Sequence, residues 1–160
     1  MRLVVAAVGQ MKAGPERELF ARYAERATAG GKALGLGPLS VRECAESRAR
    51  RAEDRKAEEA RALLAALEAG GRAIALDETG RTIASTQFAA LVQRLRDDGA
   101  RALTFFIGGA DGLDPSVRAS SEAVLSFGAM TLPHQLVRVV LAEQIYRATT
   151  ILAGHPYHRA

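Results

Sequence analysis

The chain of 160 residues carries a formal net charge of +4, and 48% of its residues are hydrophobic. Its length suits one domain with one core, and no apolar run approaches the roughly 20 residues that span a bilayer, which favours a soluble protein without a membrane partner. Cys44 is the single cysteine, so an intrachain disulfide and a thiolate metal site are excluded, as expected of a reducing cytoplasm. The mild basic excess is compatible with a polyanionic partner but does not specify one.

Short apolar or β-branched runs alternate with helical patterns along the chain. The first run resembles a clipped signal peptide, but glycine and polar residues end it early, so a strand is the better interpretation. Continuous apolar strands with helical crossovers predict an α/β fold, with a mainly parallel sheet and helices on both faces. We expect one domain over residues 1–160, with Cys44 in its core or at a strand edge. The predicted strands are Arg2–Val8, Leu39–Cys44, Arg72–Asp77, Ala102–Ile107 and Ala129–Leu132.

Helices are predicted between these strands. Helical spacing of apolar residues around Phe20 and around Phe88 predicts one helix after the first strand and one after the third. Asp114 and Pro115 form a cap and first-turn pair for a helix that should run to about Phe127. The glycine-rich stretch from Gly30 to Pro38 is interpreted as a surface loop.

The segment from Glu46 to Gly70 is predicted to be a helix with a heavily charged first half. Arg48, Arg50 and Arg51 are interleaved with carboxylates there. A solvated face with intrahelical ion pairs and a nucleic-acid contact both remain open. No aromatic residue interleaves with the charges, so base stacking on this helix is not supported.

The glycine-rich sequence FIGGADGLD, residues 106–114, directly follows a predicted strand. Ligands of α/β sheets bind at such strand ends. The sequence matches neither the dinucleotide fingerprint nor the P-loop. Asp111 and Asp114 would oppose a phosphate but tolerate a ligand that carries a cation. A tight turn without any ligand remains an alternative.

Other chemistries have weak support. The three histidines, His134, His155 and His158, come without a thiolate or an H-E-x-x-H helix, so no native metal site is predicted. No G-x-S-x-G elbow is present, so nothing supports a hydrolase.

The stretch TLPHQLVRVVLAEQIYRATTILAG, residues 131–154, predicts a long helix that begins just after Pro133. Its apolar residues cover most of the circumference. Such a helix needs two partners, of which one can be its own sheet and the other a second copy of the chain. Arg138, Glu143 and Arg147 interrupt the apolar surface, and the last two have the spacing of an intrahelical ion pair.

Four motifs follow one another in a fixed order: LDETG at Leu76–Gly80, IGGADGL at Ile107–Leu113, TLPHQLVRVVLAEQIYRA at Thr131–Ala148 and HPYHR at residues 155–159. Together they resemble the RlmH (YbeA-type) family of SPOUT methyltransferases, loosely over the whole chain and closely over residues 72–159. The resemblance implies a SPOUT fold with a C-terminal trefoil knot and an obligate homodimer. It also implies methylation by S-adenosylmethionine of N3 of a pseudouridine in 23S ribosomal RNA on the assembled ribosome.

The resemblance further implies the site residues. The target base would be surrounded by His134, Arg138, Tyr157, His158 and Arg159, with the tail supplied by the other subunit in one arrangement. Which of these groups is the base stays open, and a frayed tail is the alternative. The loop of the cofactor pocket holds no charged residue, and its backbone groups suit an adenine edge. The pocket would be formed by Leu76, Gly108, Gly109, Phe127, Gly128, Ala129, Met130, Thr131 and Leu132.

Two other functions compete with this interpretation. A non-catalytic ribosome- or RNA-binding dimer would keep the fold without turnover, although the intact glycine turn and tail argue against lost activity. A dinucleotide oxidoreductase is disfavoured by the missing fingerprint. Binding of S-adenosylmethionine and of NAD would separate the three.

Overall fold

The computed structural model describes residues 1–157, in which strands and helices alternate. The strands are β1 (Arg2–Val8), β2 (Leu39–Cys44), β3 (Arg72–Arg81), β4 (Ala102–Ile107) and β5 (Ala123–Leu125). The α-helices are α1 (Pro15–Gly31), α2 (Ala52–Leu64), α3 (Ser85–Asp97), α4 (Pro115–Ala119) and α5 (His134–Leu152).

All five strands form one parallel sheet, in the order β2-β1-β4-β3-β5. β4 is buried along its whole length, and β1 is buried from its second residue onward. Burial on both faces explains why these strands are continuous apolar runs in the sequence. The predicted α/β fold with a parallel sheet is therefore confirmed. Because the strands are parallel, all their carboxyl ends meet at one edge of the sheet, where ligands of such folds bind.

Helices cover both faces of the sheet. On one face, α1, α3 and α5 pack over Phe105 and its neighbours, and on the other, α2 and α4 pack over Phe106. Successive residues of a strand point to opposite faces, so these two fully buried phenylalanines anchor one core each. Complete burial of such a side chain stabilises the fold by about 1.5–3 kcal/mol. Both anchors lie near the carboxyl end of β4 and hold that end in place.

The fifth strand differs from the prediction. The segment Ala129–Leu132 lies in a loop, where Met130 is 84% exposed, and β5 forms earlier, at Ala123–Leu125. The predicted helix from Pro115 to Phe127 ends at Ala119, and the hydroxyl groups of the two serines at residues 120 and 121 donate to its last carbonyls. The chain then joins the edge of β3 at once. A four-residue apolar run is too short for its pattern to distinguish a strand from a loop.

Three further boundaries were predicted incorrectly. The third strand was predicted to end at Asp77, but β3 continues to Arg81. The glycine-rich stretch is only partly a loop, since α1 continues to Gly31, a short 3-10 helix spans Lys32–Leu34, and Leu36 is buried. The charged helix is shorter than Glu46–Gly70: α2 covers Ala52–Leu64, and residues 45–51 form an irregular loop.

Helix α5 begins directly after Pro133, as predicted. Its buried face, which includes Leu141 and Ile145, packs against α1 and α3 of the same chain. These two helices therefore cover much of the apolar surface that suggested a second copy, whereas Leu136 stays 41% exposed. Within residues 1–157, no helix combines the length and apolar character needed to span a membrane.

Candidate active site

A cavity of about 390 Å³ lies at the carboxyl ends of β3, β4 and β5. Leu76, Ile107 and Leu125 form its apolar floor, and the glycine turn at residues 108–112 forms one wall. The loop from 126 to 132 and the start of α5 close the opposite side. Its volume falls within the range of roughly 300–1,000 Å³ that small-molecule sites occupy.

The residues predicted to hold the cofactor come together at this cavity. Ala129 lines a smaller hollow beside it, formed with Glu78, Thr79 and the rest of the same loop. The fold brings the predicted cofactor residues together, and their role in binding stays a prediction. The cavity itself is lined by the other predicted residues, Leu76, Gly108, Gly109, Phe127, Gly128, Met130, Thr131 and Leu132.

Two glycines of the turn, Gly108 and Gly109, have no room for a side chain. A Cβ atom on Gly108 would lie 2.8 Å from the backbone carbonyl carbon and oxygen of Gly112, and one on Gly109 would lie 2.8 Å from the Glu59 carboxylate. Gly112 has a φ of 82°, in the left-handed region that favours glycine. At its glycines the turn therefore presents bare backbone to the cavity.

The two carboxylates of the turn have partners of their own. Arg55 of α2 donates from Nε and Nη2 to both oxygens of Asp111, at 2.6 and 3.0 Å, and this hydrogen-bonded guanidinium lowers the pKa of Asp111. Asp114 caps α4 by accepting from the Ser116 hydroxyl and backbone N–H, which lowers its pKa as well. A guanidinium therefore occupies the Asp111 carboxylate, and a helix terminus occupies that of Asp114.

A second ion pair, missed in the sequence, lies in the cavity wall. Arg118 donates to Asp77 at 3.2 Å and to the Leu113 carbonyl at 2.7 Å. Burial alone raises the pKa of Asp77, but hydrogen bonds from Thr79 and the nearby Arg118 outweigh it, so the pKa lies below its ordinary value. Glu78, exposed at the same rim, forms no hydrogen bond or ion pair with residues 1–157. It is the carboxylate here that remains available to a cationic ligand.

The pairing of β3 with β5 is irregular at its end. Leu125 pairs with Leu76 and also with Arg81, so the residues between them loop out of the ladder. Gly80 lies in this loop against the Leu125 backbone, where a Cβ atom would approach within 2.5 Å. The Ser126 N–H donates to the Arg81 carbonyl at 3.0 Å and closes the arrangement. These contacts hold Leu125 on the cavity floor.

The residues predicted to surround a target base are placed differently from one another. His134 lines the cavity at the first turn of α5. Arg138 is buried one turn later, and its Nη2 donates to the carbonyls of Val8 and Gly9, both at 2.7 Å. Its Nη1 donates to Glu43 at 2.9 Å. The guanidinium thus ties α5 to the ends of β1 and β2 and does not line the cavity.

Tyr157 lies along α5, away from the cavity. Its ring packs 4.7 Å from that of Tyr146, and its hydroxyl donates to Glu143 at 3.3 Å. Burial and the Glu143 charge raise the pKa of Tyr157 to about 12. Arg147 pairs with Glu143 at 2.6 Å, as its spacing predicted. His158 and Arg159 lie outside the described residues.

The remaining candidates of the sequence have structural surroundings that explain them. Cys44 is half-buried at the end of the edge strand β2, as predicted, and burial raises the pKa of its thiol. Among residues 1–157, no three histidine, cysteine or acidic side chains come together in a way that could hold a metal ion.

Comparison with known proteins identifies the family. The family model described as "Predicted SPOUT methyltransferase" matches residues 1–158. The chain belongs to the SPOUT methyltransferase family. It is 59% identical over 160 residues to the Ribosomal RNA large subunit methyltransferase H of Xanthobacter autotrophicus, covering 100% of both proteins. The protein of the same name from Rhizobium meliloti is 55% identical over 160 residues, again with 100% of both covered.

Two solved structures resemble this SPOUT methyltransferase in fold. A probable methyltransferase from Bordetella pertussis Tohama I has a TM-score of 0.50 at 15% identity, covering 92% of this chain and 93% of that one. A probable methylase family protein from Haemophilus influenzae Rd KW20 has a TM-score of 0.51 at 13% identity, covering 99% and 70%. As a SPOUT methyltransferase the chain is an enzyme, and enzymes of this family use S-adenosylmethionine.

Proposed function

We propose that this SPOUT methyltransferase transfers a methyl group from S-adenosylmethionine to N3 of a pseudouridine in 23S ribosomal RNA, acting on the assembled ribosome in the cytoplasm. The observation that carries the proposal is the cavity at the carboxyl ends of β3, β4 and β5, where the motif residues converge. Relatives at 52–59% identity over the full chain are named as large-subunit ribosomal RNA methyltransferases.

The cavity has the chemistry that this cofactor needs. S-adenosylmethionine supplies a methyl group activated by a sulfonium and carries an ammonium, but it has no phosphate. The apolar floor and the uncharged loop 127–132 suit its adenine, and the bare backbone of the glycine turn offers hydrogen-bonding groups. Glu78 is the rim carboxylate that can meet its positive charge. The Asp77–Arg118 pair and the Asp111–Arg55 pair hold the side of the cavity formed by the end of β3 and the glycine turn.

The chain's own residues must orient the target base and favour loss of its N3 proton. His134, at the mouth of the cavity, is the described member of the predicted group that reaches this place. Tyr157 keeps its proton at neutral pH, because its pKa is about 12, so it acts as a hydrogen-bond donor or stacking partner and not as the base. A cation near N3 would stabilise the anion formed there, a role we assign to Arg159. Arg138 acts as a positioning residue, because it fixes α5 and thereby places His134 at its first turn.

We also propose a homodimer in which the tail of one subunit completes the cavity of its partner. Within one chain, Tyr157 packs against Glu143, nine positions and about 14 Å along the helix axis from His134. The exposed apolar side chains of Phe127, Met130 and Leu136 near the cavity support a covering subunit. The resemblance to the family also leads us to propose a trefoil knot in the C-terminal part, within a single domain over residues 1–160.

Calorimetric titration with S-adenosylmethionine, with NAD as the control ligand, tests the cofactor. We expect saturable binding of S-adenosylmethionine and no NAD signal. NAD binding would contradict the proposal. Failure to bind S-adenosylmethionine even with ribosomes present would favour a non-catalytic ribosome-binding protein.

Mixing two inactive variants tests the shared site. We expect His134→Ala and Tyr157→Ala each to lose methyl transfer to ribosomes. In a mixed dimer, one of the two sites keeps both residues if the tail crosses to the partner. Subunit exchange should then restore activity to about a quarter of the wild-type rate, since half of the dimers are mixed and each has one intact site. Absence of recovery in mixed dimers confirmed by mass spectrometry would contradict a crossing tail.

A further inference from the structure

The loop between β2 and α2, residues 45–51, is built as a rigid element although it has no regular secondary structure. The Ser47 N–H donates to Glu59 at 3.0 Å, and the Ser47 hydroxyl donates to Glu58. The Ala49 N–H in turn donates to the Ser47 hydroxyl at 3.2 Å. Side chains of α2 therefore replace the backbone hydrogen bonds that the loop lacks.

Arg55 fastens the same loop to the glycine turn. Its Nη1 donates to the carbonyls of Ala49 and Arg50, both at 3.0 Å, while its Nε and Nη2 bind the Asp111 carboxylate. One guanidinium thus bridges the loop backbone and a wall of the cavity. Because β2 is parallel to its neighbours and ends at Cys44, the loop lies at the same edge of the sheet as the cavity.

Two arginines of this loop have no partner within residues 1–157. Arg48 and Arg50 are exposed and form neither an ion pair nor a side-chain hydrogen bond there, whereas Arg51 pairs with Glu53 at 2.8 Å. The Glu46 carboxylate lies against Gly9. Unpaired guanidinium groups are suited to bidentate contact with phosphate oxygens, and the hydrogen-bonded loop holds the backbone that carries them in place.

We propose that Arg48 and Arg50 contact backbone phosphates of the RNA that flanks the target nucleotide. This inference rests on the proposed function, because it assumes that the substrate is ribosomal RNA. The Arg55 bridge then fixes the distance between the phosphate contacts and the cavity, so that docking of the RNA backbone places the target base at the methyl donor. Such contacts supply affinity and orientation without reading sequence.

The variant Arg48→Gln/Arg50→Gln tests the proposal by the salt dependence of ribosome binding. The matched control is Lys32→Gln/Arg101→Gln, which removes two exposed positive charges at the opposite edge of the sheet. Both variants lower the net charge of +4 by the same amount. We expect the loop variant to weaken ribosome binding roughly 10- to 100-fold at 0.1 M salt and to lower the slope of log K against log salt by about 2. Its melting temperature and affinity for S-adenosylmethionine should match the wild type. The methylation KM for ribosomes should rise while kcat is unchanged.

Equal effects of the loop variant and the control would overturn the proposal, since both would then report net charge. So would a photoreactive residue at position 48 that cross-links to ribosomal protein and not to RNA. If the wild-type protein methylates ribosomes and the loop variant binds and methylates them equally well, this inference alone is refuted. A wild-type protein that neither binds nor methylates ribosomes would refute the proposed function and this inference with it.

Discussion

Substitution of Gly80 by alanine should damage both the fold and the cofactor cavity. An added Cβ would lie 2.5, 2.7 and 2.8 Å from the carbonyl carbon, nitrogen and Cα of Leu125. These distances fall 0.6–0.9 Å short of the 3.4 Å at which ordinary contact begins. All three atoms are backbone, so no side chain can rotate away, and β5 must move. Overpacking of this kind costs about 1–3 kcal/mol.

Thermal unfolding and calorimetry measure the two consequences. For a chain of this size, that cost lowers the melting temperature by about 3 to 10 °C. Because Leu125 forms part of the cavity floor, we expect the Kd for S-adenosylmethionine to rise by about tenfold, equivalent to 1.4 kcal/mol.

Gly99→Ala is the matched control. Gly99 has a φ of 83° and no heavy atom within 4 Å of an added Cβ, and it lies between α3 and β4, at the other edge of the sheet. An alanine held in the left-handed backbone conformation lowers stability by about 1–2 kcal/mol. This variant should therefore lose comparable stability and keep the wild-type Kd. A Gly80→Ala protein with the melting temperature and Kd of the wild type would refute the assigned contact between Gly80 and the Leu125 backbone.

Three other substitutions test the assigned roles. Arg138→Met should lower the free energy of unfolding by about 1–3 kcal/mol in chemical denaturation, because the carbonyls of Val8 and Gly9 lose a buried donor; wild-type stability with lost kcat would instead make Arg138 catalytic. Asp77 has a lowered folded-state pKa, so its stabilisation is complete above its ordinary value of 3.8 and is lost as the pH falls through the lower folded value. Asp77→Asn should therefore flatten the melting temperature against pH at the acid end, and an unchanged profile would argue against the Arg118 pair. Tyr157→Phe should leave the pH profile of methylation unaltered up to about pH 10, given the Tyr157 pKa of about 12; an alkaline limb that disappears with the hydroxyl would show that the phenol titrates.

Strand patterns in the sequence located most of the sheet. The bounds of β1, β2 and β4 agree with the predicted runs, because strands of a parallel sheet are marked by continuous apolar residues or sharp flanking turns. β5 was not predicted, because it has only three residues and follows a helix that is shorter than its sequence pattern suggests. Residues 46–51 of the loop were predicted to be helical, because their charged residues continue the composition of α2.

The candidate site was predictable only in part. The glycine turn and the loop after β5 are contiguous motifs, so resemblance to a family found them. The Arg55–Asp111 and Arg118–Asp77 pairs join residues 56 and 41 positions apart. No local pattern marks such a pair, since it depends on which strand ends become neighbours. For the same reason, the burial of Arg138 beneath β1 could not be derived from its place in the helix.

Mass spectrometry of 23S ribosomal RNA is the measurement that tests the central claim most directly. Ribosomes without the modification are incubated with the protein and methyl-labelled S-adenosylmethionine, and the RNA is digested and analysed for labelled nucleosides. The account predicts one labelled methyl group on N3 of a single pseudouridine, with much less label for Gly80→Ala at limiting cofactor. Label on another base, or no label under conditions in which calorimetry shows the cofactor bound, would contradict it.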